Sequence, residues 1–254
     1  MADYAITWDQ TGERFYETGV DHGVLYLYNS TGEDRTIGEG SSAKTYHVNY
    51  VNGVAWNGLT AVNHSPEGAE ANDTYADNIK YLTLRSAENF KYTIEALYSP
   101  KEFDVCDGTL EPIDGVMVSQ QPRKMFGFCH RSNVGSDTEG NEKGYKLHLI
   151  WGCTADPSEH NYETINDSPE PASLSWEVST VTQEVGTFGG VEYKPTAKIT
   201  IDTTKLTNGK ENANLAVLLG LLYGTPAGEG GTPAAVKGCM PSPKDVIAIM
   251  SAQG

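Results

Sequence analysis

The sequence predicts an all-β fold with a flanking helix, in which two antiparallel sheets pack as a sandwich or barrel. Three observations predict it: apolar residues alternate with polar ones over several short runs, clusters of Gly, Pro, Asn and Asp separate those runs, and only one long stretch has helical spacing. The chain has 254 residues. All-β domains routinely reach ~250 residues, so one main domain is expected.

Residues 29–52 are predicted to form a long hairpin with a polar tip rich in Gly and Ser. Within it, residues 38–45 read GEGSSAKT, which differs by one residue from a phosphate-binding loop because Ala43 stands where that motif has glycine. The motif also needs an apolar strand before it and a helix after it, and neither is predicted here. The segment is therefore interpreted as a hairpin tip and not as a nucleotide site.

Further along the chain, four runs alternate with a period of two, which predicts half-buried strands whose polar residues face outwards. On this pattern His148 is expected at the surface, and Trp151 is expected in the core. The apolar positions of the four runs are Tyr92, Ile94, Ala96 and Tyr98; Leu147, Leu149, Trp151 and Cys153; Leu174, Trp176 and Val178; and Ile199 and Ile201.

The helical stretch spans residues 214–223, with Leu215, Leu218, Leu219 and Leu222 on one face. Asn208 and Glu211 are predicted as its capping pair, and Gly224 as its end. The sequence thus predicts a β domain over residues 1–224 that includes this helix, which packs on the sheet.

A C-terminal extension rich in Gly and Pro is predicted over residues 225–254. Its first part, residues 225–240, has the composition of a flexible or extended linker. Beyond the linker, Ser242 as cap and Pro243 at the first helical position predict a short helix.

No catalytic, cofactor-binding or metal-binding residue can be selected from the sequence, so the chain is not expected to be an enzyme. The spacing of the four cysteines fits neither a zinc site nor a compact disulfide framework, and Cys129 and Cys153 are expected to be reduced and buried. The acidic stretch from Asp104 to Asp114 is expected to be a solvated loop, since Cys106 and Pro112 interrupt the ligand pattern of a calcium loop. The six histidines are scattered and show no ligand spacing.

The chain is acidic, with 18 Lys and Arg against 34 Asp and Glu and a formal net charge of -16. This charge disfavours tight binding of nucleic acid, which requires a basic surface. It is consistent either with simple solubility or with repulsion of another anion. No secretory signal or membrane span is expected, so synthesis in a cytoplasm is predicted.

Four blocks of the sequence are the most informative about ancestry. The first is GVAWNGLTAVNHSPEGAEANDTYADNIKYLTLRSAENFKYTIEALYSP at residues 53–100. The others are TWDQTGERFYETGVDHGVLY at 7–26, GYKLHLIWGCTADPSEHNYETINDSPEPASLSWEVSTV at 144–181 and KPTAKITIDTTK at 194–205. Together the blocks cover most of the first 224 residues, and they resemble the major tail protein of bacteriophages, the tail tube subunit of siphophage-like tails.

The resemblance implies the two-sheet fold of the tail tube type and a structural role in the virion. Subunits of that family form hexameric rings that stack into a tube, through which viral DNA leaves without being bound specifically. The implied partners are further copies of the chain and the terminator, tape measure and distal tail proteins. The implied location is the virion tail, after synthesis in the cytoplasm of a bacterial host.

Within this hypothesis the hairpin at residues 29–52 is the candidate for guarding a sheet edge before assembly and for contacting the next ring. Deletion of residues 32–43 is then expected to leave folded subunits that fail to polymerise. The alternative function is a monomeric β-sandwich binding module or head-decoration protein. As a glycan-binding module it would use Trp56, Tyr75 or Trp151 as a stacking platform. A hydrolase ranks third, with no residue to support it.

Overall fold

A computed structural model describes residues 8–37, 43–68, 70–158, 164, 171–227 and 235–252. These residues are mostly β, with antiparallel sheets and two short helices, so the prediction of an all-β fold with a flanking helix is confirmed. The strands in chain order are β1 (Phe15–Ile37), β2 (Lys44–Trp56), β3 (Leu59–His64), β4 (Glu67–Gly68), β5 (Ala71–Ala76), β6 (Ile79–Arg85), β7 (Glu88–Asn89), β8 (Lys91–Ala96), β9 (Leu110–Ile113), β10 (Val116–Val118), β11 (Phe126–Ser136), β12 (Gly140–Ala155), β13 (Leu174–Thr180), β14 (Gly186–Phe188), β15 (Val191–Tyr193), β16 (Lys198–Asp202), β17 (Gly224–Thr225) and β18 (Val236–Lys237).

Eight of these strands form one main sheet, in the order β2-β1-β11-β12-β13-β8-β3, with β16 also paired to β12. The sheet bends on itself, because β3 at the far end of this path lies against β1. A Cβ atom at Gly23 of β1 would lie 2.4 Å from the Cδ1 atom of Leu59, so the side chain of Leu59 fills the space above this glycine. The remaining ten strands form five two-stranded hairpins or ribbons.

Apolar side chains pack on both faces of the main sheet. One cluster contains Leu147, Leu149 and Trp151 of β12 together with residues of the helices. The other contains Ile150 and Cys153 of the same strand, with Trp56 and Trp176. The prediction that β12 has one outward polar face is therefore wrong: helices cover one side of the strand, and the bent sheet encloses the other.

The flanking helix α1 spans Ala213–Tyr223 and buries Leu215, Leu218, Leu221 and Leu222. Its cap is Asn212, whose side-chain oxygen accepts a hydrogen bond from the Leu215 amide at 3.1 Å. The predicted capping pair is wrong. Asn208 has a left-handed backbone, and Glu211 ends a 3₁₀ turn over Gly209–Glu211 that precedes the helix.

The C-terminal helix α2 spans Pro243–Ser251 and begins as predicted, because Ser242 Oγ accepts from the Asp245 amide at 3.2 Å. Before the helix, Cys239 and Met240 are fully buried. The prediction of a flexible or extended linker is thus wrong at these two residues, while residues 228–234 lie outside the described part. The described residues from Cys239 to Ile249 contribute to the same cluster as β1, β2 and β12.

All four cysteines are free and buried, which confirms the prediction for Cys129 and Cys153. Burial raises the pKa of Cys106, Cys129 and Cys153 to about 12. A thiol is nucleophilic only as the thiolate, so these positions are chemically inert in the folded chain.

We expect none of the four cysteines to react with an aromatic disulfide reagent at neutral pH while the protein is folded. All four should react once the chain is unfolded in guanidinium chloride. Absorbance of the released thiolate measures both numbers. A single fast-reacting thiol in the native protein would contradict the burial described here.

Candidate functional site

A two-stranded arm projects from the main sheet between β3 and β8. The arm comprises residues 67–89, in which β4 pairs with β7 and β5 pairs with β6. Every residue of β5 and β6 is exposed. A lone two-stranded hairpin is marginally stable in water, so a projecting arm of this kind generally requires a partner surface.

The arm carries apolar side chains that the rest of the described chain leaves uncovered: Tyr75, Ile79, Tyr81, Leu82 and Leu84. Tyr75 is 68% exposed, and Ile79 and Leu84 are each 62% exposed. Large exposed apolar patches on soluble proteins mark interaction sites.

Polar contacts hold one face of the arm, and Ile79, Leu82 and Leu84 lie on the other. Asp73 forms an ion pair with Lys80 at 2.8 Å and accepts from the Thr83 hydroxyl at 2.7 Å. Leu82 and Leu84 lie opposite Thr74 and Asn72 in the register, and therefore project to the other side from Asp73 and Thr83. The hairpin is thus held by its own contacts while its leucine face remains uncovered.

A second uncovered apolar surface lies on the hairpin of β9 and β10. Its exposed side chains are Leu110, Ile113, Val116, Met117 and Val118. The predicted acidic stretch from Asp104 to Asp114 includes β9 and is only partly a solvated loop, since Cys106 within it is buried. Glu111 forms an ion pair with Lys101 and accepts from the Gly115 amide, which closes the turn between β9 and β10.

The predicted hairpin at residues 29–52 lies within the pairing of β1 and β2, which continues to Ile37 opposite Lys44. Ile37 and Tyr46 pack against the core cluster beneath the helices. The tip at residues 38–42, with most of the GEGSSAKT segment, lies outside the described residues. Deletion of residues 32–43 would also remove Ile37 and part of β1, so this deletion is a less selective test of assembly than changes in the arm.

The structure brings three of the scattered histidines together. His64, His130 and His148 have ring centroids 4.6 to 5.7 Å apart, and the rings of His130 and His148 are stacked at 4.6 Å. The prediction that His148 is a surface residue is wrong, because it is 6% exposed. It faces the enclosed side of the bent sheet, where β3 covers it with His64.

Burial lowers the pKa of His64 and His148 to about 4, and the positive charge of Lys198 acts in the same direction. Burial also lowers the pKa of His130, with smaller effects from the two neighbouring histidines. All three rings are therefore neutral at pH 7. Protonation of any of them in the folded chain would place a positive charge beside Lys198.

We expect the melting temperature to fall as the pH is lowered from about 6.5 towards 4. In the unfolded chain the histidines bind protons with the ordinary pKa of about 6.5, whereas in the folded chain the buried histidines bind them only near pH 4. The neutral histidines therefore contribute fully to the free energy of unfolding above about pH 6.5, and this contribution is lost as the pH falls towards 4. A loss of about 1 kcal/mol shifts the melting temperature of a chain of this size by about 2–4 °C. Scanning calorimetry at pH 7, 5.5 and 4.5 measures the slope.

His148→Gln should reduce this pH dependence, while the matched change His22→Gln, at a largely exposed side chain, should leave it intact. Equal slopes in the wild type and in His148→Gln would contradict the assigned role of the cluster.

Of the three residues considered as glycan platforms, two are unsuitable. Trp56 is 2% exposed and packs against Phe103, Phe128 and Trp176, and Trp151 is fully buried. Only Tyr75 is exposed, and it belongs to the arm. Trp151 in the core confirms the prediction made for it.

Within the described ranges, no group of three or more His, Cys, Asp or Glu side chains has the geometry to hold a metal ion. No helix in that part of the chain is long and apolar enough to span a membrane. The candidate functional surfaces of the described residues are the arm, the hairpin of β9 and β10, and a cavity beside the three histidines.

A scan of the sequence against protein-family models found no match, and neither did a search of curated proteins.

Proposed function

We propose that this chain is a structural subunit of a bacteriophage tail that assembles into stacked hexameric rings and forms the tail tube. The proposal combines the resemblance of the sequence blocks with the predominantly antiparallel β fold. The observation that carries it is the arm, whose apolar face has no partner among the described residues. A second copy of the chain is the partner proposed for that face.

The sheet supports assembly for a second reason. Its strand path ends at β2 and β3, and β16 pairs with β12 alone, so each of these three strands has an edge. Part of the β2 edge is covered, since the Met240 amide donates to the Tyr50 carbonyl at 2.9 Å. An unpaired edge exposes donors and acceptors that can pair with another chain, and closing the sheet across subunits would remove it. A contact between two different surfaces of identical subunits generates rings or open filaments.

The negative charge has a role in this proposal. Duplex DNA carries one negative charge per ~1.7 Å of its axis, so a conduit of the same sign would not retain it. Each subunit contributes a net charge of -16. Only charges within about a Debye length, ~8 Å at physiological salt, would act on the passing duplex, so those that face the bore matter most.

Negative-stain electron microscopy and sedimentation velocity of the purified chain over a range of concentrations test the proposal. We expect ring-sized particles or tubes whose fraction increases with concentration. A strict monomer at every concentration, with no tubes, would rule out the tube function.

A further inference from the structure

We propose that the cavity beside the three histidines binds a small oxyanion of the phosphate or sulfate class. The cavity has a volume of about 370 Å³, and β1, β3, β11, β12 and β16 contribute side chains to its wall. The site differs from the assembly surfaces, and the inference does not depend on the proposed function.

Two ring nitrogens at this cavity are buried without a hydrogen-bond partner among the described residues: His64 Nε2 and His130 Nδ1. His64 Nδ1 faces the ammonium group of Lys198 at 2.9 Å and must accept from it, since lysine only donates. The neutral His64 ring therefore carries its hydrogen on Nε2, as a donor that lacks an acceptor. Buried polar groups are nearly always paired, so an unpaired donor beside a cavity requires an acceptor oxygen, from either water or an ion.

His148 is already satisfied. The Ser132 hydroxyl donates its single hydrogen to Glu17, so it accepts from His148 Nε2 at 2.8 Å. His148 Nδ1 then accepts from the Thr200 hydroxyl at 3.2 Å. This leaves His64 and His130 with free ring nitrogens, and His130 is 3% exposed.

The charges around the cavity favour an anion. Glu17 is paired with Lys146, which leaves Lys198 without a carboxylate at ion-pair distance in the described part of the chain. Lys198 is also half-buried, and burial lowers its pKa by more than the charge of Glu17 raises it, so its charge is only partly compensated. An oxyanion would accept hydrogen bonds from Lys198, from His64 Nε2 and from His130 in the tautomer protonated at Nδ1.

Other occupants fit less well. A transition metal needs convergent lone pairs, but His64 Nδ1 is directed at an ammonium group and both nitrogens of His148 are engaged. An anionic polymer is disfavoured by the net charge of -16. A free small ion remains, and it offers several acceptor oxygens to the donors around it.

Binding should strengthen as the pH falls, because an anion favours protonated histidine. The groups that face the site are His64 on β3, His130 on β11, His148 and Lys146 on β12, Lys198 on β16 and Glu17 on β1. Sulfate is the better probe for this dependence, since its charge does not change between pH 5 and 8.

The test is the melting temperature of the full chain as a function of sulfate concentration, with sodium chloride added to hold the ionic strength constant. We expect a saturable rise, larger at pH 5.5 than at pH 7.5, as for a ligand that binds only the folded state. In Lys198→Gln and in His64→Gln the apparent affinity should fall by roughly tenfold or more, as expected for the loss of a hydrogen bond to a charged group. The matched control Lys205→Gln, at a side chain that is 81% exposed, should behave as the wild type.

Three results would overturn the inference. They are a rise that is linear in sulfate and equal in all variants, an equal rise with chloride alone, and stabilisation by zinc ions that depends on His64. If one of the two variants fails to fold, the apparent sulfate affinity of the other variant decides whether the site exists. If both fail, a non-saturating response of the wild type alone is sufficient to reject the site.

Discussion

The double substitution Ile79→Thr and Leu84→Thr is expected to weaken the proposed assembly strongly while leaving the chain folded. Both side chains are 62% exposed on the arm. Burial of an Ile or Leu side chain contributes about 1.5–3 kcal/mol, so losing both at each contact would weaken it by about 3 kcal/mol or more. This corresponds to a roughly 100-fold rise in the subunit concentration needed for assembly.

The stability of the subunit itself should change little, because exposed substitutions usually alter it by no more than about 0.5 kcal/mol. Threonine also retains the β-propensity that the hairpin needs. Sedimentation velocity and electron microscopy measure assembly, and thermal melting followed by circular dichroism measures the fold.

Thr83→Ser is the matched control for this pair, since Thr83 lies on the opposite face of β6 and its hydroxyl contact with Asp73 is retained. The control should assemble as the wild type does. If the double variant formed tubes at the same concentration as the wild type, the arm would not be the assembly surface. Tubes of the wild type would then have to use another contact, such as the hairpin of β9 and β10.

Removal of residues 241–254 is expected to destabilise the chain severely. Helix α2 buries Val246 and Ile249 in the cluster under the sheet, and the Pro241 carbonyl accepts from Trp151 Nε1 at 3.0 Å. The two apolar side chains contribute about 1.5–3 kcal/mol each. The unpaired indole N–H of Trp151 adds a cost of about 1–3 kcal/mol.

The sum is comparable to the whole stability of a typical domain, about 5–15 kcal/mol. We therefore expect the truncated chain to lose its cooperative unfolding transition in urea or to aggregate. Lys244→Ala, at an exposed position of the same helix, should unfold at the same urea concentration as the wild type. A truncated chain that unfolds cooperatively at the wild-type urea concentration would indicate that residues 241–254 are a separate appendage.

The two faces of β12 are covered by different parts of the chain. Its alternation of apolar and polar residues predicted a strand with one face in the core, and that much is correct for Leu147, Leu149 and Trp151. His148 occupies the other face, and its burial depends on β3, which is distant in sequence and returns over it only because the sheet bends. Alternation shows that a strand has two faces but does not show what covers each one.

The histidine cavity could not have been identified from spacing. His130 and His148 become neighbours through the register of β11 and β12, in which they lie opposite each other. His64 joins them through the path of β3. The six histidines have no local motif, and only His148 stands in one of the four alternating runs.

The helix caps, in contrast to the histidine cavity, depend on residues that are close together in the sequence. The cap of α2 at Ser242 and its proline at the first helical position were predictable because capping involves only residues within one turn. The cap of α1 was misplaced, from Asn212 to Asn208, because a 3₁₀ turn separates the two asparagines and both fit the local pattern.

By itself, the sequence determined the all-β class with a flanking helix, the presence and approximate extent of both helices, the burial of Cys129, Cys153 and Trp151, and the acidic character of the chain. These properties depend on composition and on contacts within a few residues. Only the tertiary structure decided that the helices cover one face of β12 and the bent sheet encloses the other, and that Cys239 and Met240 belong to the core. It also decided that three histidines and Lys198 surround one cavity, and that the arm has an uncovered apolar face. Each of those depends on strand register and on how the sheet bends, which bring together residues that are far apart in the chain.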